Sequence, residues 1–221
     1  MSFKHSCFIS YRRVDVELTR VFIQNLKKAL ENEVSQIAPS TTVFVDSSGM
    51  AGMALLDPSL AKSICQSVIM VMVYVPAYFD EEHRWCAREY EAMVKLEAER
   101  LAKLPPGAKA RVNGLIAPIV FRGPEAIPAE IKERRLYTDF SRYSLAGNPN
   151  ISKNRNFADK IRNIADRFLE IWTDLRRLPD DPCQTCDAFQ LPTDADVLPI
   201  IHRLQGNAPL APAKHEAPVN G

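Results

Sequence analysis

Long hydrophobic runs are missing from this sequence. The longest, Val68 to Phe79, is too short to cross a bilayer and reads as a buried strand. An excess of either charge is also missing. Lys and Arg number 28 against 27 Asp and Glu, so no overall field draws the chain to nucleic acid or anionic membrane, and neither is expected as a partner. Five scattered cysteines, an odd number, do not suggest a disulfide framework. The opening Met1–His5 lacks the apolar core of a signal peptide, and the expected location is a reducing cytoplasm. Gly49 and Gly52 do not make a dinucleotide fingerprint, and no Gly-rich phosphate loop ends in Lys-Ser or Lys-Thr. These absences disfavour a Rossmann oxidoreductase and a nucleoside triphosphatase. Basic residues are not interleaved with aromatics as nucleic-acid binding requires.

What is present is an ordinary globular composition: 46% hydrophobic and 25% charged residues. A chain of 221 residues suffices for one well-buried domain of roughly 150 residues plus appendages. Cys7–Tyr11 reads as a first strand, closed by Arg12-Arg13. A helix follows with Asp15 as its N-cap, and Leu18, Phe22, Leu26 and Leu30 share one face. Thr41–Val45 is β-branched and ends at Asp46, and Pro58 is placed to start the next helix, through Cys65. Val68–Val75 is apolar without alternation, the mark of a strand covered on both faces. Asp80-Glu81-Glu82 precede a helix running to about Lys103. Strands at Gly114–Phe121 and Leu136–Phe140 flank a short helix, Pro128–Arg135. Phe157, Ile161, Ile164, Phe168 and Ile171 mark a last amphipathic helix ending near Leu175.

Five strands alternating with helices predict an α/β fold, a five-stranded parallel sheet with helices on both faces, plus an irregular C-terminal extension; the order expected for it is the flavodoxin-like 2-1-3-4-5, which alternation by itself leaves open. The main domain is placed at 1–175. A Pro-punctuated extension without sustained periodicity covers 176–204, and an Ala/Pro-rich tail, expected to be disordered, covers 205–221. In this strand order the sheet reverses direction between its first and third strands, where ligands bind beyond the carboxyl ends. Tyr11-Arg12-Arg13 and the segment from Pro76 to Glu89 are expected to meet there.

Within that segment Trp85 and Glu89 are one helical turn apart, at the margin of an apolar stripe of Cys86, Tyr90, Met93, Leu101 and Leu104. An aromatic ring beside a lone carboxylate can hold a ligand ring and stabilise a cation. The competing structural account is a packed helix-edge Trp and a solvated Glu. Cys7-Phe8-Ile9-Ser10-Tyr11-Arg12-Arg13, Val43-Phe44-Val45-Asp46, the Gly49/Gly52 loop and Trp85-Cys86-Ala87-Arg88-Glu89 occur in this order. Together they resemble the successive motifs of a Toll/interleukin-1 receptor (TIR) domain over roughly residues 5 to 175, and of its NAD-cleaving branch in particular.

The resemblance implies that Glu89 is the catalytic residue and that Trp85 lies beside the nicotinamide. It implies that Tyr11, Arg12, Arg13 and Asp46 contact the rest of NAD+, which is substrate rather than cofactor. It also implies self-assembly through TIR–TIR contacts, gating by the Asp46–Asp57 loop, and a role in bacterial immune or antiphage defence. A cyclic ADP-ribose product would be sensed by a separate effector. A non-enzymatic TIR adaptor or a host-targeted effector is the rival, supported by the apolar, Met-rich loop.

One carboxylate suffices for such a cleavage. Nicotinamide is a cationic substituent that leaves as a neutral ring, so the general acid of ordinary glycosidases is not needed. A preorganised carboxylate stabilises the developing oxocarbenium ion, and a cation over the Trp85 face gains roughly 0.5–2 kcal/mol. Arg12 and Arg13 can fork onto pyrophosphate oxygens. Cys183-x-x-Cys186 with His202 and His215 is too loosely spaced for a strong zinc signature, and no metal is expected. Cys65 and Cys86 read as packing residues; a hydrolase built from His83 and Cys86 has poor geometry, since both sit on one helix.

Overall fold

The computed structural model describes residues 3–45, 53–144 and 154–206, with no side-chain detail at 53–57. Its centre is a parallel sheet in the order β2-β1-β3-β4-β5. Its strands are β1 (His5–Tyr11), β2 (Thr42–Val45), β3 (Ser67–Tyr74), β4 (Ile116–Val120) and β5 (Thr138–Asp139). Every residue of β3 and β4 is buried, as expected of strands covered on both faces. The helices are α1 (Glu17–Val34), α2 (Met53–Cys65), α3 (Trp85–Ala102), α4 (Lys109–Asn113), α5 (Ala129–Arg134), α6 (Arg155–Leu175) and α7 (Asp194–Leu204). Right-handed crossovers in this strand order put α1 on one face and α2 and α3 on the other. The packing agrees: α1 lies against α6, α2 against α3, and α7 outside α3.

Local chemistry shifts several predicted boundaries. The N-cap position of α1 is Val16, without a side-chain cap, so Asp15 does not play that role; Glu17 in the first turn faces the positive helix end instead. α2 begins at Met53 and carries Pro58 inside it rather than at its start. The fifth strand shrinks to two residues because Leu136 and Tyr137 are exposed and outside the ladder. α6 follows the expected stripe, capped by Asn154, whose side chain accepts from the Phe157 amide at 3.2 Å.

After α6 the chain is turn-rich as far as Thr193 and then forms a helix the sequence reading did not anticipate. Thr193 and Asp196 make a reciprocal capping box at its start, and Val197, Ile200, Ile201 and Leu204 form its buried stripe. Pro199, one of the prolines that punctuate this stretch, is tolerated inside it. The expectation of no disulfide is corrected here. Cys186 is bonded to Cys65 at the end of α2, 121 residues earlier, a pairing that spacing alone does not signal. On the chain-entropy model, closing a loop of that size stabilises the fold by about 5 kcal/mol. It also removes Cys186 from any zinc site; His215 lies outside the described residues.

Candidate active site

Three polar side chains are buried together where β1 and β3 end. Ser10 is the penultimate residue of β1, Tyr78 sits in the 3-10 turn Pro76–Phe79 after β3, and Glu89 is in the second turn of α3. Their relative exposures are 1%, 0% and 7%. The Ser10 hydroxyl donates to Glu89 Oε2, and Ser10 Oγ lies 2.5 Å from the Tyr78 hydroxyl. With the Ser10 proton committed to the carboxylate, Tyr78 donates to Ser10, giving a two-step relay onto Glu89. Burial, together with the neighbouring Cys86 and Glu89, pushes the Tyr78 phenol well above its usual range, so it remains a donor at neutral pH. Burial and Glu89 likewise raise the Cys86 thiol, which makes it a packing residue and a poor nucleophile.

Glu89 therefore lies inside the packed face of α3, between Cys86 and Met93, and not at its margin as the stripe suggested. Leu96 and Arg100 continue that face, whereas Leu101 is only partly buried. Besides Arg100, the only other buried acidic or basic side chains among the described residues are Glu89 and Asp174. Asp174 accepts the Ala110 amide at 2.9 Å, away from the carboxyl ends of the strands. Glu89 is the one at the sheet reversal.

The two expected clusters meet at that reversal. Arg12 reaches from the end of β1 across to the turn after β3, donating to the Ala77 carbonyl and to Asp80 Oδ2, both at 2.9 Å. Its other terminal nitrogen is 3.2 Å from His83 Nδ1, which must accept, because a guanidinium only donates. Asp80 is held below the usual carboxylate range, first by the Glu82 amide and then by Arg12. The Arg12 fork is thus engaged within the protein, where the sequence reading had it on pyrophosphate. Tyr11 and Arg13 instead line an open cleft of about 550 Å³ between β1, β2 and α1, with Arg20 and Lys27 adding positive charge and Asp15 opposing it. Tyr11 joins the two regions, since its neighbour Ser10 holds Glu89. Asp46 lies outside the described residues, with the loop that follows it as far as Gly52.

Trp85 opens α3 and is partly buried against the core. The Arg88 guanidinium covers its ring at 4.6 Å from the centroid. Arg88 in turn donates to the Pro192 carbonyl at 2.6 Å, so the segment before α7 sets the position of the cation over Trp85. Sequence reasoning missed Ser10 and Tyr78 as partners of Glu89. One signal existed: a serine in an otherwise apolar strand end needs a polar partner if it is buried. Asp80, Glu82 and His83 bring one ligand atom each within 4.8 Å of one another, but Arg12 already occupies Asp80, and the cluster is better read as a clamp. A second open groove, about 500 Å³, is lined by residues 103–109 and α6 beside the amino ends of the strands, away from Glu89.

No family model and no curated protein matches the sequence. Among solved structures the chain is similar to the TIR domains of the activated Roq1 resistosome directly recognizing the pathogen effector XopQ. Identity is 16%, the match covers 83% of this chain and 95% of that one, and the TM-score is 0.35. At that level of superposition the likeness carries no argument about activity, and the fold assignment rests on the strand order itself.

Proposed function

We propose that the chain is a TIR-type NAD+ nucleosidase that cleaves the nicotinamide–ribose bond with Glu89 as its catalytic carboxylate. The observation that carries this reading is the buried Ser10–Tyr78 relay onto Glu89 at the sheet reversal. A hydrogen-bonded carboxylate in a desolvated crevice is preorganised for a developing cation. Glu89 stabilises the oxocarbenium character of the ribose as neutral nicotinamide departs. Water then gives ADP-ribose, or attack from within the same molecule gives a cyclic isomer. In this reading Trp85 bounds the nicotinamide end, and Tyr11, Arg13 and Asp46 take the remainder of the dinucleotide. Arg12 acts indirectly, by fixing the turn that holds Tyr78. The reading extends to a cytoplasmic defence role, activation by TIR–TIR assembly, and a separate effector that senses a cyclic product.

The deciding experiment is nicotinamide release from NAD+ by purified full chain at high concentration, with Glu89→Gln in parallel. Release that disappears in the variant supports the reading, and the second product distinguishes hydrolase from cyclase. No release from either protein, even when copies are clustered by a multivalent tag, favours the non-enzymatic adaptor. Release unaffected by Glu89→Gln would place the chemistry elsewhere.

A further inference from the structure

Cys65 and the closely spaced pair Cys183 and Cys186, more than a hundred residues further along, converge beside one buried cation. Cys65 ends α2 and is bonded to Cys186; the thiol of Cys183 is buried, 3.8 Å from the Cys65 carbonyl oxygen. The Cys186 amide donates to the Cys183 carbonyl at 3.1 Å, so these two cysteines share a single turn. A turn brings Cα atoms within about 7 Å, close to the span a disulfide requires. The backbone spacing of this turn is therefore compatible with a Cys183–Cys186 bond.

The cation is Arg100, 3% exposed on α3. Its terminal nitrogens donate to the carbonyls of Cys65 and Ser67, its Nε is unpartnered, and no salt bridge to it is present among the described residues. A buried guanidinium with neutral acceptors alone is costly, and a thiolate beside it offsets that cost. Arg100 draws the Cys183 thiol down, while burial, the larger effect, holds it at about 11. The resting thiol is thus protonated, and the Cys65–Cys186 bond persists until local opening wets the site.

We propose that Cys65, Cys183 and Cys186 form a thiol–disulfide switch that fastens and releases the C-terminal strap carrying α7. The Cys183 thiolate attacks Cys186 Sγ, the Cys183–Cys186 bond forms, the Cys65–Cys186 bond breaks, and Cys65 leaves as a thiolate. The proton lost by Cys183 is balanced by the one Cys65 regains from water. Cys183 is oxidised as Cys65 is reduced, so the step needs no outside oxidant. A small thiol or dithiol reductant completes it to three thiols. In a compartment that keeps thiols reduced, a disulfide of this kind is transient and regulatory.

Release matters because α7 is short. An eleven-residue helix is marginal alone and depends on its docking. Its docking bonds run from Gln205 to the Phe79 carbonyl at 2.6 Å, from His202 to Glu81 at 3.1 Å and from Arg203 to Glu130 at 2.9 Å. The covalent tether upstream keeps these contacts at high effective concentration, and the isomerised bond does not.

The switch does not depend on the reaction assigned to Glu89, and its test reads no activity. Full chain is equilibrated over a series of glutathione poises, quenched in acid, alkylated and mapped by peptide mass spectrometry, with amide hydrogen exchange followed in parallel. The expected result is a Cys183–Cys186 peptide with alkylated Cys65 at intermediate poise, accompanied by exchange in α7 at least ~10-fold faster. Cys183→Ser is expected to pass directly from the Cys65–Cys186 form to the reduced chain. Direct passage of the wild type to three thiols overturns the proposal, as does α7 exchange that ignores the linkage. Cys65→Ser under oxidising conditions is expected to hold the Cys183–Cys186 bond; if that variant does not fold, the wild-type series still decides.

Discussion

The Ser10 hydroxyl, near the carboxyl end of β1, donates a hydrogen bond to the Glu89 carboxylate on α3. A hydrogen bond to a charged group is worth about 1.5–3 kcal/mol, and its loss leaves a buried acceptor unsatisfied. Ser10→Ala should lower stability by that amount in urea unfolding and, on the proposed function, reduce nicotinamide release at least ~10-fold. Tyr78→Phe, one step further along the relay, should cost less, about 0.5–1.5 kcal/mol.

Arg12 and Asp80 give an acid-sensitive clamp. Asp80 has a folded-state pKa below its ordinary value, so it favours the folded chain above the ordinary carboxylate range and loses that effect as pH falls through the folded value. Urea midpoints measured against pH should show wild type more stable than Asp80→Asn by a constant margin above about pH 5, narrowing below about pH 4. A margin that grows on acidification would contradict the assignment.

Gly123 has φ +63°, and a Cβ there would lie 2.5 Å from Pro76 Cγ. Pro76 is a rigid ring that starts the turn carrying Tyr78. Gly123→Ala should therefore destabilise by about 1–3 kcal/mol and disturb the Glu89 relay from a distance. Gly107 is the control: its φ is also positive, but a Cβ there meets nothing within 4 Å. Melting temperature and nicotinamide release, taken together, separate the two variants.

Thr193 accepts from the Asp196 amide and donates to its carboxylate. Thr193→Ala should cost about 1 kcal/mol, localised to α7. Hydrogen exchange should show faster α7 amides and unchanged β3.

The fold was legible where periodicity was clean. The unbroken apolar run of β3 and the five-residue stripe of α6 both reappear as buried faces; alternation gave the parallel sheet, and the expected order 2-1-3-4-5 is the one observed. Glu89 was also legible as a singular carboxylate, but its depth was not, because depth comes from Ser10 and Tyr78 on other elements. Arg12 looked like an outward fork, and only tertiary contact gives it Asp80. Helix α7 was hidden by Pro199, which propensity reads as a stop and docking tolerates. The Cys65–Cys186 pair was invisible for the same reason that it stabilises: the partners are 121 residues apart.

That bond turns residues 65 to 186 into a covalent ring holding β3, α3, β4 and β5, with Tyr78 and Glu89 inside it. A single peptide-bond cut anywhere inside the ring opens it without dividing the molecule. A protease acting on the fastened form therefore leaves a nicked chain of undiminished mass, and the two pieces separate only when the sulfurs let go.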